Sequence, residues 1–545
     1  MLIIITIFIS AFFAQFAQGQ LLVTLPKGQI LGHELQTFTN RPYYAYQSIP
    51  YAAAPLGELR FQAPEEPESW EGVLDAAEDS HMCYQMQYDG PEESEDCLYI
   101  NVFTPVLNRE VEDAKLPVIF WIYGGGLRNG AARFEDYRPD YWMDEDVILV
   151  THNYRVGIFG FLSTGDSIIP GNNGLKDQNL ALKWTHENIH LFGGDADRIT
   201  VHGQSAGAVS ASYHLLIKQS AGLFRSVIAE SGSPLNMYSF IENPKEYAIQ
   251  LAQAINPDVS SEANSEEIRD FLVNLDGQTI DNYSRATAIA QPAVVIEPEG
   301  PTAVVTKEMY EMLESGEFHQ VPVLMGIRSE EALFIAKSEN YLIKLGRSYD
   351  ANEALVVPDI FPHDENIDRA VIGDAVKLVY LNEEEAWAER PGRVVRHFSD
   401  QRFARGIIKQ GKLISQYAPV YFYQFSYDGD VGGWNVMVED AETIQHAEEL
   451  YYVFLNRSLS EIDEGDALTH KRLVRLWSNF VKFQNPTPEP DDLLENIEWP
   501  AATPVDYKYL NINNSLSIEL NPKDPYFSKW EYVFETYGRR PFSTF

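Results

Sequence analysis

The sequence Gly203-Gln204-Ser205-Ala206-Gly207 decides the fold, because a strand-forming run stands directly before it. That run, Ile-Thr-Val-His at residues 199–202, is apolar and of β type. The pattern predicts a strand that turns sharply into a helix with Ser205 at the tip, since only glycines fit beside so tight a turn. The helix would point its first N–H groups at the serine hydroxyl. We therefore expect a nucleophilic serine suited to forming an acyl-enzyme; an ordinary helix N-cap is the competing interpretation.

Further apolar runs alternate with helical segments along the chain. Residues 179–191 are predicted to form a helix. The predicted strands are all continuously apolar and comprise residues 118–122, 147–151, 226–229, 321–325 and 420–425. Such strands separated by helices are typical of a mostly parallel sheet that is covered on both faces. We predict an α/β fold in which residues 20–545 form a single domain, because neither a linker nor a repeat interrupts them.

The chain is strongly acidic. It carries 80 acidic and 41 basic residues among 545, a formal net charge of −39. A surface of this charge repels phosphate, so we expect no nucleic-acid partner. Solubility explains the acidity most simply, and attraction of cationic ligands is the alternative.

The start of the chain is similar to a signal peptide. Residues 1–13 are almost wholly apolar, and Ala17-Gln18-Gly19 places small residues at the −3 and −1 positions of a cleavage site. We expect cleavage after Gly19, secretion, and no membrane anchor thereafter. An uncleaved anchor is the alternative, which the glutamines that interrupt the apolar stretch oppose.

The cysteines and the glycosylation sequons are interpreted on the expectation that the protein is secreted into an oxidising compartment. Cys83 and Cys97 are the two cysteines of the chain, and we expect them to form a disulfide that closes a loop of about 15 residues. Two buried free thiols are the alternative. Asn-x-Ser sequons at Asn282, Asn456 and Asn513 are candidate glycosylation sites.

A serine nucleophile needs a base that takes its proton and a third group that orients the base. Candidates follow Ser205 in the order acid, then histidine. The acidic pair Glu330-Glu331 follows the apolar run 321–325, and His446 follows the aromatic run 420–425.

A series of short motifs occurs in fixed order along the chain: Arg60-Phe61, Glu95-Asp96-Cys97-Leu98, Tyr123-Gly124-Gly125-Gly126, Asn153-Tyr154-Arg155, Asp177-Gln178, Phe192-Gly193-Gly194-Asp195 and Ser231-Gly232-Ser233. Their identity and order resemble those of type-B carboxylesterases, the cholinesterase-like branch of the α/β-hydrolases. The resemblance spans nearly the whole chain beyond the predicted signal peptide. It implies the α/β-hydrolase fold, with a large, mostly parallel central sheet and helices on both faces.

The resemblance also implies a serine carboxylesterase and assigns roles to the candidates. Ser205 matches the nucleophile and His446 matches the general base. Glu331 stands at the position of the orienting acid, and its neighbour Glu330 is the less favoured choice. Ester hydrolysis would pass through an acyl intermediate on Ser205, without a cofactor or a metal ion.

Other site positions follow from the same resemblance. The N–H groups of Gly125, Gly126 and Ala206 match an oxyanion hole, and Ser231 matches a hydroxyl that contacts the acid. The glycine triplet could otherwise be a plain turn or a phosphate loop, but a phosphate loop requires a Lys-Ser or Lys-Thr pair after it, and none follows.

Three residues depart from the family pattern. Leu127 follows the glycine triplet where an aromatic residue is usual. Ala332 and Ala447 replace the glycines that usually follow the acid and the histidine. We expect a changed pocket shape or changed packing, and we expect the three catalytic residues to be retained.

The expected substrate is a small, apolar carboxylic ester. The Gly-Gln-Ser-Ala-Gly form of the pentapeptide resembles that of insect carboxylesterases, juvenile hormone esterases among them, so a hormone, pheromone, dietary or xenobiotic ester is expected. A choline ester is disfavoured, because the loop from Cys83 to Cys97 offers Tyr84 and Tyr88 but no tryptophan to bind a cation. The oligomeric state is not predicted.

Two alternatives come from other classes of protein. The segment His186-Glu187-Asn188-Ile189-His190 matches the H-E-x-x-H motif of zinc proteases, although Ala196 occupies the position of a third ligand in the extended motif. The second alternative is a catalytically silent adhesion or binding protein of the same fold.

Overall fold

A computed structural model describes residues 21–85, 92–107, 111–287, 293–432 and 436–545. The predicted signal peptide, residues 1–19, lies outside the described residues. Within the described ranges, no helix combines the length and the apolar composition that crossing a membrane would require.

The secondary structure alternates between strands and helices. The strands β1–β16 are, in chain order, Leu22–Leu25, Gly28–Leu31, His33–Gln36, Pro42–Pro50, Val73–Asp75, Met82–Cys83, Glu93–Ser94, Tyr99–Thr104, Leu116–Ile122, Ile148–His152, Gly194–Gln204, Ser226–Glu230, Val323–Arg328, Val420–Phe425, Lys508–Ile512 and Leu516–Leu520. The helices α1–α16 are Val111–Ala114, Asp140–Asp144, Gly157–Phe161, Asn173–Asn188, Ala206–Leu216, Pro244–Ile255, Ser265–Val273, Gly277–Thr287, Met309–Ser315, Glu339–Ala351, Arg369–Tyr380, Pro391–Ser399, Arg405–Ile414, Leu450–Val453, Glu464–Phe483 and Tyr526–Tyr537.

An 11-stranded sheet forms the centre of the molecule, in the order β16-β15-β14-β13-β12-β11-β9-β10-β8-β4-β3. Every neighbouring pair from β15 to β10 is parallel. The pairs at both edges are antiparallel, which makes the sheet mixed. The predicted α/β-hydrolase fold with a mostly parallel centre is therefore confirmed.

The central strands are apolar on both faces because helices cover both. In β9, Val118, Phe120 and Ile122 belong to one buried cluster, whereas Ile119 and Trp121 belong to another on the opposite face. Alternate residues of a strand point to opposite sides, so a strand buried on both faces is apolar without interruption. Helix α5 packs on the first face and α15 on the second.

The largest differences between predicted and observed element boundaries lie at two places. Strand β13 begins at Val323, after Pro322, whose ring nitrogen has no hydrogen to donate to a ladder. The helix predicted over residues 179–191 begins earlier, at Asn173, and ends at Asn188, after which a 3-10 turn, Ile189–Phe192, continues the chain.

The parallel strands position the candidate residues. Ser205 follows the last residue of β11, Glu331 lies three residues beyond the end of β13, and His446 lies in the segment that follows β14. The carboxyl ends of parallel strands meet at one edge of a sheet, so the fold gathers residues that are far apart in the sequence.

Candidate active site

Ser205 occupies the tight turn between β11 and α5 that the sequence predicts. Its backbone has φ 57° and ψ −123°, a conformation that residues other than glycine rarely adopt. A Cβ built on Gly203 would lie 2.2 Å from the carbonyl oxygen of Gly207, and one on Gly207 would lie 2.0 Å from that of Ile122. Both glycines are thus required by close backbone packing, which holds the serine in its strained conformation.

A chain of hydrogen bonds joins Ser205, His446 and Glu331. The Nε2 atom of His446 lies 2.7 Å from the Ser205 hydroxyl oxygen. The Nδ1 atom of His446 lies 2.7 Å from Oε2 of Glu331. With the Glu331 carboxylate accepting from Nδ1–H, Nε2 is free to accept the serine proton, which is the tautomer that general-base chemistry needs.

The Glu331 carboxylate is fixed from its other side. Its Oε1 atom accepts hydrogen bonds from the Ser231 hydroxyl and, at 2.9 Å, from the backbone N–H of Arg328. Burial by itself would raise the pKa of this carboxyl group. The hydrogen bond and charge of His446, followed by Arg328 and Ser231, outweigh burial and lower the pKa below its ordinary value. Glu331 therefore stays ionised at neutral pH.

The neighbouring Glu330 points into a different environment. Its carboxylate pairs with Arg396 at 2.8 Å and accepts from the Ser399 hydroxyl at 2.6 Å. The backbone N–H of Glu442 donates to it at 3.2 Å. The structure thus brings Glu331, and not Glu330, to the imidazole of His446.

The glycine triplet lies beside the serine turn. A Cβ on Gly124 would lie 3.0 Å from Cβ of Ser205. Gly125 and Gly126 have φ values of +108° and +66°, which side chains would strain. Ala206 begins α5, where N–H groups have no partner inside the helix. Gly125, Gly126 and Ala206 thus belong to the segments on either side of this contact, and their role as an oxyanion hole stays a prediction.

The three departures from the family pattern differ in their backbone conformation. Leu127 is buried at φ 60° and Ala447 has φ 71°, so both hold the left-handed conformation that favours glycine. Ala332 has φ −98° and is fully buried. Alanine in place of glycine therefore strains the backbone at position 447 and leaves position 332 unstrained.

Two aromatic residues that the sequence did not single out also line the site. The Phe403 ring packs on the His446 imidazole with centroids 4.4 Å apart, and the Tyr238 ring lies 5.5 Å from that of Phe403. Phe403 belongs to a π-helical turn, Asp400–Ala404, between α12 and α13. Such turns are frequent at functional sites, but no sequence motif marks this one.

The cysteine and sequon predictions can be placed on the structure. Cys83 and Cys97 form a disulfide, as predicted. Tyr84 lies within that loop, whereas Tyr88 lies outside the described residues. Asn282 and Asn456 are exposed and Asn513 is half-buried, and their glycosylation stays a prediction.

The H-E-x-x-H segment does not lie on one continuous α-helix. His186 and Glu187 belong to α4, but His190 lies in the 3-10 turn that follows it. Glu187 is 3.8 Å from the ammonium group of Lys183. Across the residues that the structure describes, no three His, Cys, Asp or Glu side chains are grouped closely enough to hold a metal ion.

Comparisons with known proteins identify the family of this chain. Residues 19–530 match the carboxylesterase family. The chain belongs to that family. It is 32% identical to a juvenile hormone esterase of Tribolium castaneum over 88% of this chain and 85% of the relative. It is also 32% identical to Esterase FE4 of Myzus persicae, over 89% and 88% of the two chains.

A solved structure shows the same fold. The juvenile hormone esterase from Manduca sexta, crystallised with OTFP covalently attached, superposes on this chain with a TM-score of 0.82 and 25% identity, covering 95% of this chain and all of the other. The predictions of a carboxylesterase-type α/β-hydrolase and of an ester hydrolase are therefore confirmed. A carboxylesterase-family enzyme acts on small-molecule esters, so the zinc-protease and binding-protein alternatives are not retained.

Proposed function

We propose that this carboxylesterase-family enzyme hydrolyses apolar carboxylic esters through an acyl intermediate on Ser205, with His446 as general base and Glu331 as the orienting acid. The observation that supports it most strongly is the pair of 2.7 Å contacts that His446 makes, one to the Ser205 hydroxyl and one to the Glu331 carboxylate. Such an arrangement activates a hydroxyl that is otherwise a weak nucleophile.

The reaction proceeds in two displacements. Ser205 Oγ attacks the ester carbonyl carbon while its proton passes to Nε2 of His446. The tetrahedral intermediate then collapses, its bond to the alkoxy oxygen breaks, and His446 gives that oxygen the proton. A water molecule next loses a proton to His446 and attacks the acyl-serine. His446 returns this proton to Ser205 as the carboxylic acid leaves.

The surrounding groups stabilise the charges that appear on this path. The N–H groups of Gly125, Gly126 and Ala206 donate to the carbonyl oxygen as it becomes negative; losing one such donor typically costs about 3–4 kcal/mol of the barrier. Glu331 stabilises the imidazolium form of His446, and Ser231 keeps the carboxylate in place.

An apolar acyl or alcohol group fits the side chains around Ser205. Phe403 and Tyr238 present aromatic surface beside the site, and Leu127 is buried at its edge. A choline ester stays disfavoured, since the disulfide loop contains no tryptophan. Relatives named juvenile hormone esterase make a juvenoid ester the first physiological candidate, ahead of pheromone, dietary and xenobiotic esters.

We further infer that the enzyme is secreted, with residues 1–19 as its leader and residues 20–545 as one catalytic domain. The Cys83–Cys97 disulfide supports this, because disulfides persist in oxidising compartments. Sequons at the exposed Asn282 and Asn456 are accessible to glycosylation.

A fluorophosphonate probe tests the nucleophile directly. We expect the probe to label a single peptide, the one that contains Ser205, and Ser205→Ala to abolish both labelling and hydrolysis. Labelling of another peptide, or none, would count against the assignment. A hydrolysis screen over aryl, short-chain, long-chain and juvenoid esters, with Ser205→Ala measured alongside, then ranks the substrates.

A further inference from the structure

A glutamine of the disulfide loop contacts the segment that contains the glycine triplet. Gln85 stands two residues after Cys83, and its side chain is buried. Its Oε1 atom accepts a hydrogen bond from the backbone N–H of Gly130 at 2.9 Å, and its Nε2 atom donates to the Gly130 carbonyl oxygen at 3.4 Å. The side-chain amide thus pairs with both backbone groups of one residue, as a neighbouring strand would.

One peptide unit connects this contact to Gly125. The N–H group of Gly130 and the carbonyl group of Asn129 belong to the same peptide unit, which is planar. A Cβ built on Gly125 would lie 2.2 Å from that carbonyl oxygen, so the oxygen packs directly against the backbone of Gly125. The Asn129 N–H also donates to the Gly125 carbonyl oxygen at 3.1 Å. By holding the N–H end of this peptide unit, Gln85 also holds the end that packs on Gly125.

The glycine triplet has no side chains that could fix it by packing. Gly125 has φ +108°, and glycine loses more conformational freedom on folding than any other residue. The segment that follows is held at Leu127, whose carbonyl oxygen accepts from the Gly157 N–H at 2.7 Å. Gly125 itself is held by the backbone of Asn129. The direction of the Gly125 N–H therefore depends on the peptide unit that Gln85 binds.

The closed disulfide loop in turn holds Gln85. The Nε2 atom of Gln85 also donates to the carbonyl oxygen of Cys83 at 3.2 Å. Cys83 is bonded to Cys97, which is fully buried and lies two residues before β8 of the central sheet. The strands β6 and β7 pair in parallel at the base of the loop. The disulfide thus joins the residue that binds Gly130 to the central sheet.

We propose that Gln85 is a positioning residue for the oxyanion hole, and that the Cys83–Cys97 disulfide acts on catalysis through it. Gln85 acts through Gly130 and sets the direction of the Gly125 N–H. The inference rests on the proposed hydrolysis at Ser205 and adds to it the groups that hold the oxyanion hole in place. A donor that faces the developing negative charge acts mainly in the transition state, so its misplacement should lower kcat and leave KM nearly unchanged.

Two substitutions of Gln85 and a matched control test the proposal. Gln85→Met has a side chain of similar length that can make neither hydrogen bond to Gly130. Gln85→Glu keeps an oxygen that accepts from the Gly130 N–H, whether or not its carboxyl group is protonated. Gln253→Met is the control: it removes a side-chain donor that binds the Val259 carbonyl oxygen at 3.1 Å, on helix α6, which carries none of the assigned site residues.

Two inhibitors of equal chain length report on the oxyanion hole. The Ser205 oxygen adds to the carbonyl carbon of octyl trifluoromethyl ketone while its proton passes to His446, which leaves a tetrahedral adduct with a negatively charged oxygen. Octyl methyl ketone is far less electrophilic and binds without an adduct. Their inhibition constants are measured beside kcat and KM for 4-nitrophenyl hexanoate, and urea unfolding gives the stability of each variant.

We expect Gln85→Met to lower kcat by about 10-fold to 100-fold, which is less than the roughly 10²-fold to 10³-fold loss that follows removal of a whole donor. The inhibition constant of the trifluoromethyl ketone should rise by the same factor, while that of the methyl ketone stays unchanged. Gln85→Glu should retain several-fold more kcat than Gln85→Met, and Gln253→Met should match the wild type. A purely structural role would lower the urea midpoint and move neither kcat of the folded enzyme nor the trifluoromethyl ketone constant.

Removal of the disulfide tests the second half of the proposal. Replacing Cys83 and Cys97 with serine should lower kcat in the wild-type background. The same replacement should have little further effect in Gln85→Met, because residues that act through one contact are not additive.

Two results would overturn the proposal. The first is a folded Gln85→Met enzyme that binds the trifluoromethyl ketone as tightly as the wild type; Gln85→Asn, whose amide is one methylene short of Gly130, gives the same comparison if Gln85→Met does not fold. The second is a disulfide effect on kcat that is equally large with and without Gln85. If the wild type neither hydrolysed the ester nor bound the trifluoromethyl ketone more tightly than the methyl ketone, the proposed function itself would fail, so the two failures can be told apart.

Discussion

Replacing Glu331 with glutamine tests the proposed catalytic geometry most sharply. The amide of Glu331→Gln is nearly isosteric with the carboxylate and can still accept from Ser231 and from the backbone N–H of Arg328. It cannot supply the negative charge that faces Nδ1 of His446 at 2.7 Å. The substitution thus removes the charge and keeps the shape.

The size of the effect follows from that distance. At an effective dielectric constant of about 20, opposite charges 2.7 Å apart attract by roughly 6 kcal/mol. The attraction acts in the transition state, where His446 is an imidazolium, and is much weaker in the ground state, where the ring is neutral. With its oxygen accepting from Ser231 and Arg328, the glutamine presents its NH2 group to Nδ1, which favours the wrong tautomer of His446. We therefore expect kcat to fall by about 10³ to 10⁴.

Glu330→Gln is the matched control. The side chains of Glu330 and Arg396 are both buried and make an ion pair at 2.8 Å. Among the described residues, the substitution leaves Arg396 with Glu442, 3.4 Å away, as its ion-pair partner. Breaking such a pair should lower the free energy of unfolding by about 3 kcal/mol. The folded enzyme should keep nearly its full kcat, because Glu330 does not contact His446.

The two variants should therefore separate activity from stability. Steady-state hydrolysis of a 4-nitrophenyl ester, normalised to active sites titrated with the fluorophosphonate, gives kcat; urea unfolding gives the free energy. Equal losses of kcat in the two variants, or a Glu331→Gln enzyme with more than about a tenth of the wild-type kcat, would refute the assignment of Glu331.

The remaining predictions concern stability. Ala447→Gly should raise the free energy of unfolding by about 0.5–1 kcal/mol, because glycine adopts the left-handed backbone conformation without strain, whereas Ala332→Gly should lower it by about 1 kcal/mol. Midpoint temperatures of thermal unfolding that shift in the same direction for both variants would contradict this. Burial raises the pKa of the Glu448 carboxyl from 4.5 to about 7, so its contribution to stability is complete below pH 4.5 and is lost as the pH rises through about 7. Glu448→Gln should thus exceed the wild type by about 2–3 kcal/mol at pH 8 in urea unfolding and match it near pH 4.5, and a difference independent of pH would refute the shift. Replacing both Cys83 and Cys97 with serine should lower the free energy of unfolding by about 3 kcal/mol in the same assay. An unchanged unfolding midpoint would show that the disulfide does not stabilise the protein.

The sequence predicts those parts of the structure that have a local physical cause. The run of residues 118–122 is apolar at every position because both faces of β9 are buried. The serine turn is visible because Gly203 and Gly207 have no room for a side chain. The sequence does not predict the start of α4 at Asn173, because Asn172-Asn173-Gly174 has the composition of a turn. Asn172 indeed has a left-handed backbone, with φ 55°.

Contacts between distant segments left no signal in the sequence. The packing of Phe403 on His446 and the ion pair of Glu330 with Arg396 depend on how α12 and the π-helical turn approach the sheet edge. Adjacent glutamates look alike in the sequence. The two glutamates differ in the direction of their side chains after β13. The resemblance to the family favoured Glu331, whereas composition alone could not choose between the two.

The backbone of Ser205 limits which nucleophiles this scaffold can accommodate. A threonine at φ 57° would force its branched Cβ against neighbouring backbone, since β-branched side chains avoid positive φ values. A cysteine has the same single substituent on Cβ as serine and would fit. The single substitution Ser205→Cys would therefore place a thiol nucleophile in this site, whereas a threonine nucleophile would require a different backbone conformation between β11 and α5.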